Sequence, residues 1–380
     1  MISEIVNILA FFALLGLSFI IMLWIYAYKK TKHKSFTPYT PTAVVIIPCK
    51  QETIDFKKNI QSFLKLNYTF YRIVFVVDSK KDSVYTILHN ETVNKKNVDI
   101  ICTKPLPQCS GKVAALLTAI QSCEDVEILV FADSDIKVEK NWLRDIILPL
   151  QDKKIGASTG YRWYVPTTLK TTLISAWNMI PIVFMFYSSL SFTWGGSTAI
   201  RKKVFQQLQI KKKWNTAFSD DLVLTNALKK AGYRIYFQPT CIMKSPPEQN
   251  LQKFLMWGAR QYTWVRWYNP LFWVGSFIGF VGLQIIIILG VLLGLTNSVV
   301  TLVLISSIII LEMFIGLTGI IVLSKTMIFK QNNFSSKCRY FLLSPLVFIM
   351  IAITISKSLF TQKISWAGKM YSHPKKIKKK

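Results

Sequence analysis

Acidic residues are scarce in this sequence, which has 19 Asp and Glu against 47 Lys and Arg, so the places where they gather are informative. Asp78 follows the apolar run 73–77, and Asp133 and Asp135 follow the apolar run 128–132. Two carboxylates spaced two residues apart can converge at a loop and bind a hard divalent cation together with substrate phosphates. Such a cation would neutralise charge on a diphosphate leaving group. A turn or a helix cap is the competing interpretation, since Asp and Ser favour both.

A second acidic pair, Asp220 and Asp221, stands directly before Leu222 and Leu224, which begin a stretch with helical spacing. A carboxylate at this place can accept the proton of an attacking hydroxyl group if the two lie within hydrogen-bonding reach. The same residues, with Ser219 before them, could also simply cap the helix. Both interpretations stay open for the pair taken alone.

Two adjacent glycines, Gly195 and Gly196, would let the backbone approach a ligand closely. They do not form a P-loop, because no Gly-Lys-Ser/Thr follows at the required spacing. Lys112 follows Gly111 and also lacks that context. Its ammonium group could meet a phosphate or be an ordinary surface charge.

Arg266 and Trp267 lie in the aromatic stretch 260–268, directly before a long apolar segment. A guanidinium fork matches phosphate oxygens, and an indole face can stack on a sugar. Tryptophan and tyrosine also gather at bilayer interfaces for amphipathic reasons alone, which is the alternative explanation for this stretch.

The elements that must position these residues are short β-rich apolar runs, separated by polar stretches that suit helices. The runs are 43–48, 73–78, 98–102 and 128–133. Continuous apolar runs that alternate with helices predict a parallel sheet buried on both faces. We therefore expect an α/β, Rossmann-like domain over residues 42–268, with Asp78 and Asp133 at the carboxyl ends of its strands. Within it, the apolar segment 169–192, interrupted by Pro181, is predicted as an interfacial helix rather than a span.

Apolar residues and positive charges are both abundant, since 51% of the residues are hydrophobic and the formal net charge is +28. This combination excludes a disordered chain and is typical of a membrane protein with basic flanks. Residues 5–28 are long enough to span a bilayer and are followed by the basic segment 29–34. We predict a retained transmembrane anchor over residues 1–34, with its C-terminal end in the cytoplasm.

Further membrane helices are predicted over residues 269–360. The apolar stretches are 271–295, 298–323 and 340–357, of which the first two indicate a helical hairpin. A full crossing by the third stretch would place the basic tail, residues 361–380, outside the cell, against the positive-inside rule. We therefore expect the third stretch to be re-entrant or strongly tilted and the tail to be cytoplasmic.

In their order along the chain, these motifs resemble a family 2 membrane glycosyltransferase with a GT-A fold, and more narrowly the ceramide glucosyltransferase-like branch. The order is strand–Asp, strand–Asp-x-Asp, Gly-Gly-Ser, an acidic pair, and Arg-Trp before membrane helices. The resemblance covers residues 42–270 and the tail element 366–371, which is similar to the W-x-G-[RK]-x-Y of that family. Thr263 departs from the first position of the (Q/R)-x-x-R-W motif, which counts against the processive synthases of cellulose and hyaluronan.

The resemblance implies a role for each matching residue. Those near the nucleotide are Glu52, Asp78 and Lys112, with Asp78 at the uracil end. Asp133 and Asp135 match the pair that binds UDP and a metal ion, Mg²⁺ or Mn²⁺, and Asp221 matches the catalytic base. The residues on the leaving-group and acceptor side are Gly195, Gly196, Asp220, Arg266 and Trp267.

The implied reaction is the inverting transfer of a sugar, expected to be glucose, from a UDP-sugar to the hydroxyl of a membrane lipid. The acceptor would be ceramide or a diacylglycerol-like lipid, and the catalytic domain of this multi-pass membrane protein would face the cytoplasm. No nucleic acid partner is needed to explain the positive charge. Processive polysaccharide synthesis and a non-catalytic nucleotide-binding membrane scaffold are the alternatives. A transporter or channel is disfavoured, because the predicted spans carry few charges, notably Glu312 and Lys357.

Overall fold

The computed structural model describes residues 2–30, 38–53, 55–123, 125–248, 250–326, 333–366 and 368–373. The chain forms two compact units. The sheet unit comprises Lys34–Trp163, Met185–Ser245 and Lys363–Lys380, and the helical unit comprises Met1–His33, Tyr164–Phe184 and Pro246–Gln362. The basic segments 31–37 and 374–380, which contribute to the predicted topology, lie outside the described residues.

The secondary-structure elements alternate over the first half of the chain and become helical toward its end. The strands are β1 (Ala43–Cys49), β2 (Tyr71–Val77), β3 (Val98–Cys102), β4 (Ile128–Ala132), β5 (Ile155–Tyr164), β6 (Ser197–Arg201), β7 (Arg234–Ser245), β8 (Lys363–Trp366) and β9 (Lys369–Ser372). The helices are α1 (Ile2–Lys30), α2 (Phe56–Phe63), α3 (Ser83–Thr92), α4 (Gly111–Gln121), α5 (Trp142–Ile147), α6 (Leu169–Met185), α7 (Lys202–Gln207), α8 (Ile210–Trp214), α9 (Asp220–Lys230), α10 (Leu251–Tyr268), α11 (Pro270–Asn297), α12 (Val299–Thr326) and α13 (Phe334–Phe360).

Within the part of the chain that the structure describes, seven strands form one sheet in the order β3-β2-β1-β4-β6-β5-β7. The first four pair in parallel, with Val45 of β1 opposite Ile73 of β2 and Val130 of β4. β6 pairs antiparallel with both β4 and β5. This confirms the predicted α/β, mostly parallel sheet and adds an antiparallel strand that the apolar runs did not indicate.

The sheet is covered on both faces, which explains why its central strands are apolar throughout. The core on one face contains Val45, Phe63 and Trp142. The core on the other face contains Ile46 and Trp214. Each buried aliphatic or aromatic side chain of this kind stabilises the fold by about 1.5–3 kcal/mol relative to an exposed one. The two cores therefore hold the strand ends, and the residues that follow them, in fixed positions.

Among the described residues, four helices of the helical unit are long and apolar enough to cross a membrane. They cover Ile2–Lys29, Pro270–Leu295, Val299–Lys325 and Phe334–Phe360. α1 packs against α11 and α12, and α13 packs against α10, α11 and α12. Ser298 alone separates α11 from α12, which confirms the predicted helical hairpin. The two helices approach closely at Gly290, where an added Cβ atom would lie 2.4 Å from Ile305 Cδ1.

α13 covers the third apolar stretch, residues 340–357. It is one continuous helix of 27 residues that runs through Pro345. At about 1.5 Å per residue its length, roughly 40 Å, exceeds the hydrocarbon core of about 30 Å. A re-entrant or strongly tilted path for this stretch stays a prediction, because the length and composition of the helix show only that it could cross a membrane. A proline is tolerated inside an apolar helix of this kind, because neighbouring groups can satisfy the freed backbone atoms.

The segment predicted over residues 169–192 is helical only to Met185. α6 has 17 residues, with Pro181 inside it, and its length of about 25 Å falls short of a bilayer core. An interfacial position for α6 stays a prediction. Trp177 of α6 meets Phe254 and Trp257 of α10 at ring-centroid distances of 5.3 and 5.6 Å. These contacts explain why α6 and α10 belong to the helical unit. A single functional domain over residues 42–268 stays a prediction.

Candidate active site

A cavity of about 250 Å³ opens in the sheet unit where β1, β2 and β4 end. Its lining includes Cys49 from the end of β1, Asp78 directly after β2, and the D-x-D residues Asp133 and Asp135 after β4. Parallel strands bring their carboxyl ends to one edge of a sheet. The three predicted carboxylates therefore share one cavity, as the sequence pattern predicted.

Both carboxylates of the D-x-D motif are held by basic side chains. Lys112 Nζ lies 2.8 Å from Asp133 Oδ1, and Arg162 Nη2 lies 2.7 Å from Asp135 Oδ1 and 3.7 Å from Asp133 Oδ2. Burial acts to raise the pKa of Asp133, but the charges of Lys112 and Arg162 outweigh it and hold this pKa below its usual range. Asp133 is therefore ionised at neutral pH.

Lys112 links the two acidic motifs. It lies in the first turn of α4, where the side chain of Ser110 caps the helix. Its Nζ lies 3.4 Å from Asp220 Oδ2 and donates to the Gly195 carbonyl at 3.2 Å. Burial acts to lower the pKa of Lys112, yet the surrounding carboxylates raise it well above its usual value. The pKa of Asp220 is raised to about 6, mainly by burial.

Asp221 is the more accessible member of its pair. It lies in the first turn of α9, which is capped by the side chain of Ser219. Asp221 Oδ1 accepts from the Leu222 N–H at 2.8 Å and from the Ser219 hydroxyl, and Oδ2 accepts from the Gly195 N–H at 3.3 Å. Asp221 is half-buried, whereas Asp220 is only 5% exposed and contacts Lys112. The helix cap does not compete with the acidic pair, because Ser219 is the capping residue.

The two glycines allow these groups to approach closely, because an added Cβ atom at either position would press on neighbouring side chains. A Cβ atom on Gly195 would lie 2.3 Å from Asp220 Oδ2 and 2.8 Å from Lys112 Nζ. A Cβ atom on Gly196 would lie 2.3 Å from the Trp194 ring. The Gly195 peptide groups contact both Lys112 and the second acidic pair. The glycines thus allow a close approach to side chains of the protein, and their approach to a ligand stays a prediction.

Two residues predicted near the nucleotide lie in different surroundings. Asp78 lines the cavity and lies 3.9 Å from Lys50 Nζ, in an ion pair that is about half-exposed. Glu52 lies on the loop after β1, where it is exposed and does not line the cavity. The structure therefore places Asp78 in the candidate site and leaves Glu52 outside its lining.

Arg266 and Trp267 lie on α10 in the helical unit. Arg266 Nη2 donates to the Thr361 carbonyl at 2.5 Å, and its Nη1 donates to the Leu359 carbonyl. The guanidinium thus satisfies carbonyl groups at the C-terminal end of α13, where a positive charge is favourable. Trp267 packs edge-on against Trp264 at a ring-centroid distance of 5.2 Å. The roles of both residues toward a leaving group or acceptor stay predictions.

The structure adds two residues that the motifs did not assign. Arg162 reaches the D-x-D motif from β5, and its guanidinium lies over the Trp194 ring at 5.4 Å. No local pattern marks it, because β5 was not predicted. Tyr371 also lines the cavity, although it comes from the C-terminal strand β9. In the sequence, Tyr371 was marked only by its position in the tail element 366–371.

The carboxylates of Asp133 and Asp135 fit the divalent cation that a D-x-D motif implies. Oxygen ligands suit Mg²⁺ and Mn²⁺, and such ions often take one or two carboxylates and complete their coordination with substrate phosphates. Across the described ranges, no group of three or more His, Cys, Asp or Glu side chains is arranged to hold a metal ion. The donor set therefore suits a cation shared between the protein and a phosphorylated ligand.

Comparisons with known proteins agree with this architecture. The model of glycosyl transferase family 21 matches residues 8–377. No curated protein gives a significant match. One similar solved structure is that of the mannosyltransferase PcManGT from Pyrobaculum calidifontis in complex with GDP-Man and Mn²⁺. The sequence identity is 14% and the TM-score is 0.52, and the match covers 94% of this chain and 99% of that chain. Glucosyl-3-phosphoglycerate synthase from Mycobacterium tuberculosis, in complex with Mn²⁺, UDP and glucosyl-3-phosphoglycerate, is 13% identical with a TM-score of 0.39, covering 59% of this chain and 77% of that chain.

Proposed function

Because this chain belongs to glycosyl transferase family 21, the ceramide glucosyltransferase-like group of GT-A enzymes, we propose that it moves glucose from UDP-glucose to a membrane lipid. The acceptor is the hydroxyl of ceramide or of a diacylglycerol-like lipid, and the transfer inverts the anomeric configuration. One observation supports this most directly. Lys112 connects the cavity that holds Asp78 and the D-x-D motif with the Gly195 backbone, which contacts Asp221.

The donor half of the site is built for a nucleoside diphosphate. Lys112 and Arg162 supply charge-assisted hydrogen bonds to diphosphate oxygens, which are among the stronger hydrogen bonds in proteins. Asp78 accepts a hydrogen bond from the base, at the uracil end of the cavity. Asp133 and Asp135 would hold Mg²⁺ or Mn²⁺, and such an ion would neutralise charge on the diphosphate leaving group. The Mn²⁺ in the structures of PcManGT and the phosphoglycerate synthase is consistent with this assignment.

The acceptor half of the site depends on Asp221 as general base. Its carboxylate takes the proton of the acceptor hydroxyl, whose oxygen then bonds to the anomeric carbon on the side opposite the diphosphate. The bond from that carbon to the diphosphate oxygen breaks, and its electron pair leaves with UDP. Hydrogen bonds from Ser219, Leu222 and the Gly195 N–H hold the carboxylate in one orientation.

A lipid acceptor is supported by the helical unit. The four apolar helices described in this unit are long enough to cross a membrane, so the protein can take an acceptor whose acyl chains stay in lipid. The basic segment after α1 favours a cytoplasmic location for the sheet unit under the positive-inside rule. We therefore propose that transfer takes place at the cytoplasmic face of the membrane.

The first test replaces the proposed base. Full-length Asp221→Asn, purified in detergent, is incubated with UDP-glucose and either ceramide or diacylglycerol, and glycolipid product is measured by mass spectrometry. We expect a loss of turnover of about 10²–10⁴-fold, the usual contribution of a general base, with unchanged UDP binding. Asp99→Asn is the matched control, since Asp99 pairs with Arg72 at the surface and should keep full activity. Turnover by Asp221→Asn at the wild-type rate would refute the assignment.

A second measurement separates an enzyme from a nucleotide-binding scaffold. Wild-type protein that is stabilised by UDP with Mn²⁺ but makes no glycolipid from any sugar nucleotide would favour the scaffold. Asp135→Ala should weaken UDP binding in the presence of Mn²⁺ and leave UDP binding in chelator less affected. Equal UDP affinities in the variant and the wild type would count against the proposed cation site.

A further inference from the structure

The C-terminal hairpin formed by β8 and β9 belongs to the sheet unit and brings a buried tyrosine to the candidate site. We propose that Tyr371 is a donor-binding residue, and that this hairpin forms the wall of the cavity beside the diphosphate of the bound nucleotide. The inference rests on the proposed function of the same cavity. It assigns a binding role to a part of the chain that lies far in sequence from the strands carrying the carboxylates.

Tyr371 lies between the two helix N-termini that carry the polar site residues. It is 6% exposed and lines the cavity together with Gly111 and Lys112. The Gly111 N–H, in the first turn of α4, donates to the phenol oxygen. On its other side the ring packs against Phe218 at a centroid distance of 5.1 Å. Phe218 directly precedes the capped acidic turn that contains Asp221, so one aromatic side chain touches both halves of the site.

The hairpin fixes the direction in which Tyr371 points. β8 and β9 are antiparallel, with Ile364 opposite Tyr371. Gly368 in the turn has a φ of +75°, a conformation that glycine adopts without strain. Residues opposite each other share one face of a hairpin, and Ile364 is only 2% exposed while the neighbouring Met370 is 64% exposed. The alternation therefore presents Tyr371 to the interior and Met370 to solvent.

The position of Tyr371 defines the part of the ligand that it meets. Lys112 and the D-x-D motif mark the diphosphate end of the cavity, and Asp78 marks the other end. Tyr371 lies beside Gly111 and Lys112, which places it at the diphosphate end. A tyrosine there offers an apolar ring that excludes water and a hydroxyl that can donate to a phosphate or ribose oxygen. The ligand class is therefore a nucleoside diphosphate, whether free or as part of a sugar donor.

The test measures UDP binding to the full chain in detergent with Mn²⁺, by calorimetry. We expect Tyr371→Ala to raise the Kd for UDP about tenfold or more, and Tyr371→Phe to raise it by a smaller factor, because the ring remains. The KM for UDP-glucose should rise in parallel, with a smaller change in kcat. Met370→Ala is the matched control on the opposite face of β9, and its Kd should equal that of the wild type.

Hydrogen exchange on the wild-type protein tests the same point without a variant that could misfold. UDP should slow the exchange of the backbone amides of residues 369–372 as well as those at the start of α4. Protection at α4 with none at β9, or a wild-type Kd for Tyr371→Ala, would overturn the role of Tyr371 while leaving the proposed function intact. Wild-type protein that binds no nucleoside diphosphate would overturn both.

Discussion

Replacement of Lys112 by Met should destabilise the sheet unit, and the loss should grow as the pH rises. The Lys112 side chain is 15% exposed and lies within 3.4 Å of carboxylate oxygens of both Asp133 and Asp220. Methionine fills much the same volume but carries no charge. The buried Asp220 and the partly buried Asp133 then lose the positive charge that they share. Removal of one partner from a buried ion pair typically costs about 3–5 kcal/mol.

The pH dependence follows from the direction of the pKa shift of Asp220. Burial raises this pKa to about 6, above its ordinary value of 3.8, although Lys112 acts to lower it. In Lys112→Met the pKa of Asp220 must rise further, because the lowering charge is gone. A carboxyl group with a raised pKa in the folded state binds a proton more readily than in the unfolded state, so stability falls as the pH rises through the folded pKa. The variant should therefore be closest to the wild type near pH 5 and furthest from it near pH 8.

Thermal unfolding followed by tryptophan fluorescence measures this difference. The buried reporters in the sheet unit are Trp142, Trp163 and Trp214. For a unit of this size the expected loss corresponds to a fall in Tm of roughly 6–20 °C at pH 8. Lys58→Met is the matched control, because Lys58 pairs with Asp55 on the surface at 2.7 Å, and such pairs contribute little. Equal Tm losses for Lys112→Met at pH 5 and pH 8, or no loss at either, would refute the reasoning.

Two other substitutions test the geometry around the carboxylates. Gly195→Ala should lower stability by about 1–3 kcal/mol through overpacking and abolish the sugar transfer proposed above, because the added Cβ would lie 2.3 Å from Asp220 Oδ2. Gly111→Ala, which meets no atom within 4 Å, should leave the Tm unchanged, and equal Tm values for both variants would contradict the close approach. Arg162→Gln should bind Mn²⁺ more tightly than the wild type in the absence of nucleotide, since it frees Asp135 from an ion pair at 2.7 Å. Electron paramagnetic resonance of free Mn²⁺ measures this, and weaker binding by the variant would show that Arg162 does not compete with the cation.

The parallel half of the sheet could be predicted because burial on both faces leaves a local pattern. β1, β2, β3 and β4 lie within two residues of the apolar runs that predicted them. Their parallel pairing then brings Asp78 and the D-x-D residues to one edge without any further information. The helical hairpin of α11 and α12 could be predicted equally well, since length and apolar composition define such helices.

The remaining parts of the site depend on contacts between residues that are distant in sequence. β6 is short and contains serine and threonine, so Ser197–Arg201 carries no apolar run, and its antiparallel pairing with β4 leaves no local signal. Arg162 reaches the D-x-D motif only because β5 pairs with β6. Tyr371 reaches the cavity through a hairpin at the far end of the chain. For α13, the distribution of lysines concerns topology and says nothing of helix continuity, so it could not predict one unbroken helix through Pro345.

Charge balance in the site gives a physical reason for a bound cation under the proposed function. The chain as a whole is strongly basic, with a net charge of +28, and this field favours the approach of an anionic nucleotide. At the site itself, four carboxylates face two basic side chains; these are Asp133, Asp135, Asp220 and Asp221 against Lys112 and Arg162. Asp220 adds to the negative charge at neutral pH because its pKa is about 6. A bare diphosphate would thus meet net repulsion at the point of binding, whereas a diphosphate that carries Mg²⁺ or Mn²⁺ is attracted by the same carboxylates. Donor and cation should therefore each raise the affinity of the protein for the other, as thermodynamic linkage requires of two ligands that share one site.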